Sequence, residues 1–248
     1  MKIRNKFLAF LGLLAIGLAS CNNDTKQTPT KISEEDSEFL KAVIDNNAPE
    51  KKMVIQKELK DGLAGDANFS LSTVSIDPFE SYLYVFETSS NGSIKEVFAY
   101  KEEDTYIYLN YLDKELTYWD YSSTNTLDIF TLSDIDIFAT PSNMLKNFIS
   151  IEGDNPYTNI YSYNLNKKGE GNFDLSVSGE KFWPTPRTYK VDFSFENGLI
   201  TSYCSCDSVE GKKVSTTYKY SYDVDFEKKY PNITLEELKQ MRAQQFNG

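Results

Sequence analysis

The chain of 248 residues contains no histidine and only three cysteines. The lack of histidine excludes a Ser-His-Asp triad, a Cys-His dyad and a histidine-ligated zinc site. Basic residues are also few, with 26 Lys and Arg against 37 Asp and Glu, so the net charge is −11. This balance argues against nucleic acid as a partner, because that affinity comes largely from neutralising phosphates. We expect a protein without catalytic machinery, metal or cofactor.

Residues 1–20 have the pattern of a secretory leader. Its basic residues come first: Lys2, Arg4 and Lys6. The apolar stretch 7–18 follows, and it is too short for a helix that spans a bilayer core, which needs about 20 residues. We therefore predict a signal peptide that is cleaved between Ser20 and Cys21.

The segment Leu18-Ala19-Ser20-Cys21 closes this leader and resembles the lipobox of bacterial lipoproteins. In that family the peptidase cuts before a cysteine whose sulfur carries diacylglycerol, so the resemblance implies lipidation of Cys21. A plain signal peptide is the alternative. Lipidation places the protein in the cell envelope, anchored on the extracytoplasmic side. In a cell with two membranes, Asn22 instead of Asp after the cysteine resembles lipoproteins that are sent to the outer membrane.

Attachment to the membrane is expected to depend on the lipid alone. Cleavage removes three basic residues and no acidic one, so 23 basic and 37 acidic residues leave a net charge of −14. An anionic membrane surface repels such a body. Residues 21–32 are predicted to be a lipidated tether, and its ten polar residues after the cysteine have a root-mean-square reach of about 17 Å. Residues 33–248 are predicted to be a single β-rich domain.

Apolar and polar residues alternate along most of this domain, and 17 Tyr and 16 Phe favour strands. The strand-like runs lie at 68–76, 81–88, 94–100, 105–112, 115–121, 127–133, 157–165, 172–178, 188–196, 199–207 and 213–226. Residues 51–59 are ambiguous between helix and strand. The pattern predicts a mainly β fold, an antiparallel meander of about eleven strands that forms a curved sheet or half-barrel packed on short helices.

Helices are predicted at three places. Ser33 is the expected N-cap of the first, residues 141–149 form the second, and Thr234 and Glu237 form a capping box before the third. The early run 81–88 is apolar on both faces, so it needs cover on both sides, and these helices are the available cover.

Cys204 and Cys206 are the pair of residues most capable of chemistry: a metal fragment, a redox pair or a strained disulfide. A two-residue turn at Asn197-Gly198 predicts that the cysteines lie opposite Val191 and Tyr189, on the buried face. We therefore favour core thiols over a functional pair.

The segment 182–187 is an aromatic, proline-rich loop between two predicted strands. Phe182 and Trp183 are candidate contact residues, because exposed aromatic side chains on loops stack on sugars or mark a protein partner. The alternative is a Trp side chain that is buried under the sheet.

The order of these elements, with a lipobox leader, a short helix and about eleven antiparallel strands, resembles the bacterial lipoprotein-carrier family. That resemblance implies an unclosed β-barrel that holds acyl chains between the sheet and its helices. We expect a lipid-anchored protein that captures an apolar or lipid-like ligand. The alternatives are a surface protein that binds glycan or protein, and an envelope scaffold without a small ligand.

Overall fold

The computed structural model describes residues 30–46, 51–62, 68–123, 158–169, 171–181 and 186–246. These residues form two helices, α1 (Glu34–Asn46) and α2 (Leu235–Phe246). They also form eleven strands: β1 (Met53–Asp61), β2 (Asn68–Asp77), β3 (Tyr82–Ser89), β4 (Ile94–Glu102), β5 (Thr105–Leu112), β6 (Glu115–Ser122), β7 (Thr158–Gly169), β8 (Asn172–Lys181), β9 (Arg187–Glu196), β10 (Leu199–Val209) and β11 (Lys212–Tyr222).

The strands form one antiparallel, unclosed, curved sheet in the order β6-β5-β4-β3-β2-β1-β11-β10-β9-β8-β7. It consists of two meanders, β1–β6 and β7–β11, that are joined where β1 pairs with β11. The mainly β meander predicted from the sequence is therefore confirmed. Residues 53–59 of the ambiguous segment 51–59 belong to β1, in the middle of the sheet. The predicted strand at 127–133 and the predicted helix at 141–149 lie outside the described residues.

The two faces of the sheet differ in composition, and each carries one of the described helices. The α1 face, on which α1 packs, holds the larger buried cluster, which includes Leu40, Val74, Val85, Val97, Val177, Val191 and Tyr220. The α2 face is apolar chiefly on β3–β6, where Leu235 and Leu238 of α2 belong to one buried cluster with Tyr82, Tyr84, Phe98, Tyr100, Ile107 and Leu109. Strand β3 is thus covered on both sides, as its sequence predicted.

Both predicted helix starts are confirmed by their hydrogen bonds. At α1 the backbone N–H of Asp36 donates to Ser33 Oγ at 3.2 Å. Before α2 the backbone N–H of Thr234 donates to Glu237 Oε2 at 2.8 Å, and the N–H of Glu237 donates to Thr234 Oγ1 at 3.3 Å. This reciprocal pair satisfies two N–H groups that have no partner within the helix.

The last strand is shorter than the run 213–226 predicted from the sequence. Strand β11 ends at Tyr222, and the next residue, Asp223, has a φ of 53°. Its backbone N–H donates to the carbonyl of Lys52 at 2.8 Å instead of continuing the strand. The alternation continues through Val224 and Phe226, but these residues belong to no strand.

The predicted register of β9 and β10 is wrong beyond its first two pairs. Leu199 pairs with Glu196 as expected, but the register shifts between Ile200 and Ser202. Cys204 then lies opposite Asp192, and Cys206 lies opposite Lys190. Both cysteine side chains are half-buried on the α2 face, and Thr217 Oγ1 donates to Cys204 Sγ at 3.5 Å. The expectation of core thiols is therefore not met.

Candidate functional site: the aromatic side of the sheet under the C-terminal segment

The α1 face is closed at β7 and β8 by the first helix. The ring of Phe39 packs edge-on against Phe173, with centroids 5.0 Å apart. Tyr163 OH donates to Asp36 Oδ2 at 3.3 Å, and Lys167 Nζ lies 3.1 Å from Asp36 Oδ1. These contacts hold α1 against the sheet by both apolar and polar groups.

On the α2 face, residues 223–234 form a strap that crosses β3 and β4 before α2 begins. The hydroxyl of Tyr82 lies at its centre: it accepts from the backbone N–H of Lys229 at 2.7 Å and donates to the carbonyl of the same residue at 2.9 Å. Phe226 stacks on Tyr82 with centroids 6.1 Å apart. Tyr230 packs edge-on against Tyr82 at 5.6 Å and against Tyr100 at 5.3 Å. The strap is therefore held by rings and by one buried hydroxyl.

Charged groups add to this attachment. Lys228 Nζ lies 3.1 Å from Asp77 Oδ2 and 2.5 Å from Glu80 Oε2. Asp77 is 5% exposed, so this pair is shielded from solvent better than an ordinary surface ion pair. Lys229 Nζ lies 5.1 Å above the ring of Tyr84, within range of a cation–π interaction.

Helix α2 contacts the sheet with few side chains. Leu235 and Leu238 are buried in the aromatic cluster, and Met241 packs against its margin. Near its C-terminal end, Arg242 forms an ion pair with Asp120 and lies over the ring of Tyr121, 3.9 Å from the centroid. The helix thus rests on β3–β6 along a narrow apolar stripe and is held to β6 by one arginine.

A cleft of about 460 Å³ opens between α2 and β5. Its lining consists of three apolar or aromatic residues, Tyr111, Ile233 and Met241, and four polar ones, Asn232, Glu237, Gln240 and Gln244. All three apolar residues belong to the margin of the aromatic cluster. The cleft therefore exposes the edge of the apolar surface that α2 otherwise covers.

The electrostatics beside the cleft are acidic. Tyr111 pairs across the strands with Glu96, whose Oε1 accepts from Tyr84 OH at 2.6 Å. Burial, together with the Glu96 carboxylate, raises the pKa values of both Tyr84 and Tyr111. These tyrosines are therefore neutral donors over the physiological range. Glu237 adds a second carboxylate at the mouth. This environment disfavours an anionic group in the cleft.

Of the residues that the sequence singled out, Glu237 of the capping box lines this cleft, but none of the candidate site residues does. Ser20, Cys21, Phe182 and Trp183 lie outside the described residues, so their roles stay predictions. The sequence did not indicate that Tyr111, Ile233 and Met241 line a cleft. The available signal was the sparse apolar content of α2. Met241 lies between Gln240 and Arg242, and Gln244 follows three positions later, on a helix that comes after a strongly aromatic strand pattern. Within the described residues, no helix has the length and hydropathy to cross a membrane.

Comparison with known proteins gives structural similarities of low score. No protein-family model matches the chain, and no curated protein matches it. LprF from Mycobacterium bovis aligns over 82% of this chain and 99% of its own, at 7% identity and a TM-score of 0.41. The Mycobacterium tuberculosis lipoprotein LppX aligns over 79% and 99%, at 9% identity and a TM-score of 0.30. A DUF1329 family protein from Desulfovibrio piger aligns over 78% and 94%, at 10% identity and a TM-score of 0.26.

Proposed function

We propose that this protein is a lipid-anchored protein of the cell envelope that binds an apolar, lipid-like ligand in the cleft between β5 and α2. The anchor is the part of the proposal that rests on the leader and on Cys21. The binding part rests on the α2 face of the sheet. We further propose that the protein binds its ligand without chemical conversion, since the chain has no histidine and its candidate site presents tyrosine, amide and carboxylate side chains.

The observation that carries the binding proposal is the open margin of the aromatic cluster. Strands β3–β6 present a wide apolar surface whose centre is buried under the strap and under Leu235 and Leu238 of α2. The margin at Tyr111 and Met241 is left as the wall of an open cleft. An apolar ligand that covers this margin gains roughly 25 cal/mol for each Å² removed from water.

The charges around the cleft restrict the ligand class. Glu96 and Glu237 are both close to the cleft, and the described lining contains no Lys or Arg. A free fatty acid or an anionic head group placed there meets like charge. Neutral acyl chains and uncharged lipids fit the site better. Binding of glycan or protein through Phe182 and Trp183 stays a prediction outside the described residues.

The proposal is tested by native mass spectrometry of the mature chain from Asn22, purified from the producing cells without detergent. We expect a mass increase that corresponds to a neutral lipid. Met241→Glu places a carboxylate on the apolar wall and is expected to reduce the loaded fraction at least about tenfold, because burial of an uncompensated charge is costly. Ala243→Glu is the matched control, since Ala243 is exposed two residues farther along α2 and does not line the cleft.

Two results argue against binding in this cleft. One is a bare mass for the unsubstituted chain after addition of neutral lipid. The other is an equal loaded fraction for the Met241→Glu and Ala243→Glu chains, which places any bound lipid elsewhere.

A further inference from the structure

The antiparallel register separates the two ends of the sheet clearly. One end, here called the tether end, carries the turns between β3 and β4, between β5 and β6 and between β10 and β11. The opposite end, here called the far end, carries the turns between β2 and β3, β4 and β5, and β9 and β10. Strand β7 begins at the tether end, because Thr158 pairs with Lys181 at the end of β8.

The N-terminal segment joins the body at the tether end. The backbone N–H of Thr30 donates to the carbonyl of Ile160 at 2.7 Å, and Thr30 Oγ1 donates to the carbonyl of Tyr161 at 3.0 Å. Ile160 is the third residue of β7, which runs from Thr158 to Gly169. The first described residue of the chain is therefore fixed close to this end of the sheet.

The length of chain between the lipid anchor and this contact limits how the body sits on a membrane. Eight residues lie between Cys21 and Thr30, and the nine Cα–Cα steps from one to the other span at most about 30 Å when fully extended. Nine further residues of β7 lie between Ile160 and the far end, a distance of roughly 30 Å along a strand. A body standing on its far end therefore requires a completely extended tether. If the tether end lies at the membrane instead, the tether does not need to be extended.

The tether end also exposes large apolar side chains. Phe69 and Leu71, at the start of β2, are 42% and 47% exposed, and Leu112, at the end of β5, is 45% exposed. Phe69 and Leu71 share the α2 face with the half-buried Ile94, which pairs with Thr88 of β3. Because the mature body carries a net charge of −14, attraction to an anionic surface is not the source of such a contact.

We propose that the tether end lies against the lipid bilayer that holds the anchor, with Phe69, Leu71 and Leu112 in contact with its surface. This inference rests on the lipid anchor of the proposed function. It adds an orientation: the far end, with Phe79 77% exposed at the tip of the β2–β3 turn, faces away from the membrane.

The test uses the full lipidated protein in vesicles of phosphatidylcholine with brominated acyl chains, which quench tryptophan at short range. Leu71→Trp reports on the tether end, and Phe79→Trp is the matched reporter at the far end. Trp119 and Trp183 contribute the same background to both. We expect the added tryptophan at position 71 to be quenched at least threefold more than the one at position 79. Equal quenching, or stronger quenching at position 79, overturns the orientation.

Hydrogen exchange on the unsubstituted lipidated protein gives a second measurement that needs no variant. Transfer from detergent micelles to vesicles is expected to slow exchange in the turn at 210–211 and to leave the turn at 197–198 unchanged. Slowing confined to 197–198 contradicts the proposal. The intact mass of the N-terminal peptide separates the two levels of inference: a Cys21 without acyl chains overturns the anchor and the orientation, whereas an acylated Cys21 with far-end contact overturns the orientation alone.

Discussion

A single extra residue decides which face of the sheet the two cysteines occupy. Thr201 lies between Ile200, which pairs with Phe195, and Ser202, which pairs with Ser194. This bulge brings Tyr203 onto the α1 face, where its ring centroid lies 5.0 Å from that of Phe193. A β-bulge inserts one residue and so reverses the facing of all residues that follow. Packing of a large aromatic side chain in the core therefore moves the following cysteines to the α2 face.

The thiols are accordingly expected to react in the folded protein. Alkylation with iodoacetamide under native conditions should modify both Cys204 and Cys206, as read by peptide mass spectrometry. The comparison is Val191→Cys in a chain with Cys204→Ser and Cys206→Ser, because Val191 is fully buried. We expect that thiol to react at least roughly tenfold more slowly, since it must wait for local opening. Equal protection of all three thiols contradicts the described register.

The sequence does contain an indication of the bulge, although the turn at Asn197-Gly198 by itself predicts a regular hairpin. Asn197-Gly198 correctly predicted the first pairs of the hairpin. Ile200 and Tyr203 are both large and apolar but stand three residues apart, which a regular strand cannot bury on one face. The strict alternation of Tyr189, Val191, Phe193 and Phe195 gave correct burial throughout β9, because nothing interrupts its period.

At the scale of elements, the strap at 223–234 depends on the hydroxyl of Tyr82. Tyr82→Phe keeps the ring contacts with Phe226 and Tyr230 but removes two hydrogen bonds to the backbone of Lys229. Loss of two hydrogen bonds made by the hydroxyl of the buried Tyr82 side chain costs about 1–2 kcal/mol in free energy of unfolding. We expect that loss in urea denaturation, together with faster hydrogen exchange in the strap.

The control for this variant is Tyr230→Phe, which removes a hydroxyl from a side chain that is 55% exposed. Its free energy of unfolding should lie within about 0.5 kcal/mol of the unsubstituted protein, as for most surface changes. If both variants lose the same stability, the hydroxyl of Tyr82 is not what holds the strap.

Elements were predictable where local signals agree and unpredictable where a long-range contact decides. Ser33 and Thr234 mark helix starts through hydrogen bonds to residues three positions away, so the sequence contains the whole motif. The end of β11 has no such local motif, because one alternating pattern continues through Tyr222, Val224 and Phe226. The strand stops because its partner β1 begins at Met53, and the register places Met53 opposite Tyr222.

At the scale of the whole molecule, the pairing of β1 with β11 joins segments that are far apart in the chain. Met53 and Tyr222 are neighbours in the sheet although 169 positions separate them. Local patterns carry no information about such a pair, and β1 itself was ambiguous because Lys57, Glu58 and Lys60 interrupt its alternation. The cleft shares this origin, since it forms where the C-terminal helix meets β5. The sequence predicted only that the early strands need cover on both faces.

The composition of the whole chain also determines its response to alkali. Burial raises the pKa values of Tyr100 and Tyr189 to about 12. It raises those of a further set as well: Tyr82, Tyr84, Tyr111, Tyr203, Tyr220 and Tyr222. The folded protein therefore keeps these hydroxyls protonated at a pH where an unfolded chain ionises them near 10. Their contribution to stability is complete below pH 10 and is lost as the pH rises through the folded-state values.

We expect the free energy of unfolding to be nearly constant from about pH 6 to pH 9, because no histidine titrates there, and to fall steeply above pH 10. Each such tyrosine contributes a slope of at most about 1.4 kcal/mol per pH unit. Burial lowers the pKa of Lys57, and this makes the free energy of unfolding rise with pH below 10.5. The effect of this one lysine is opposed by that of eight tyrosines. A domain of ordinary stability, about 5–15 kcal/mol, should therefore unfold before pH 12.

Urea denaturation across this range, followed by circular dichroism and by tyrosinate absorbance, checks the expectation. Ionisation of the buried tyrosines near pH 10 in a protein that stays folded contradicts it, since such hydroxyls must be in contact with water and cannot form the aromatic core described for both faces of the sheet.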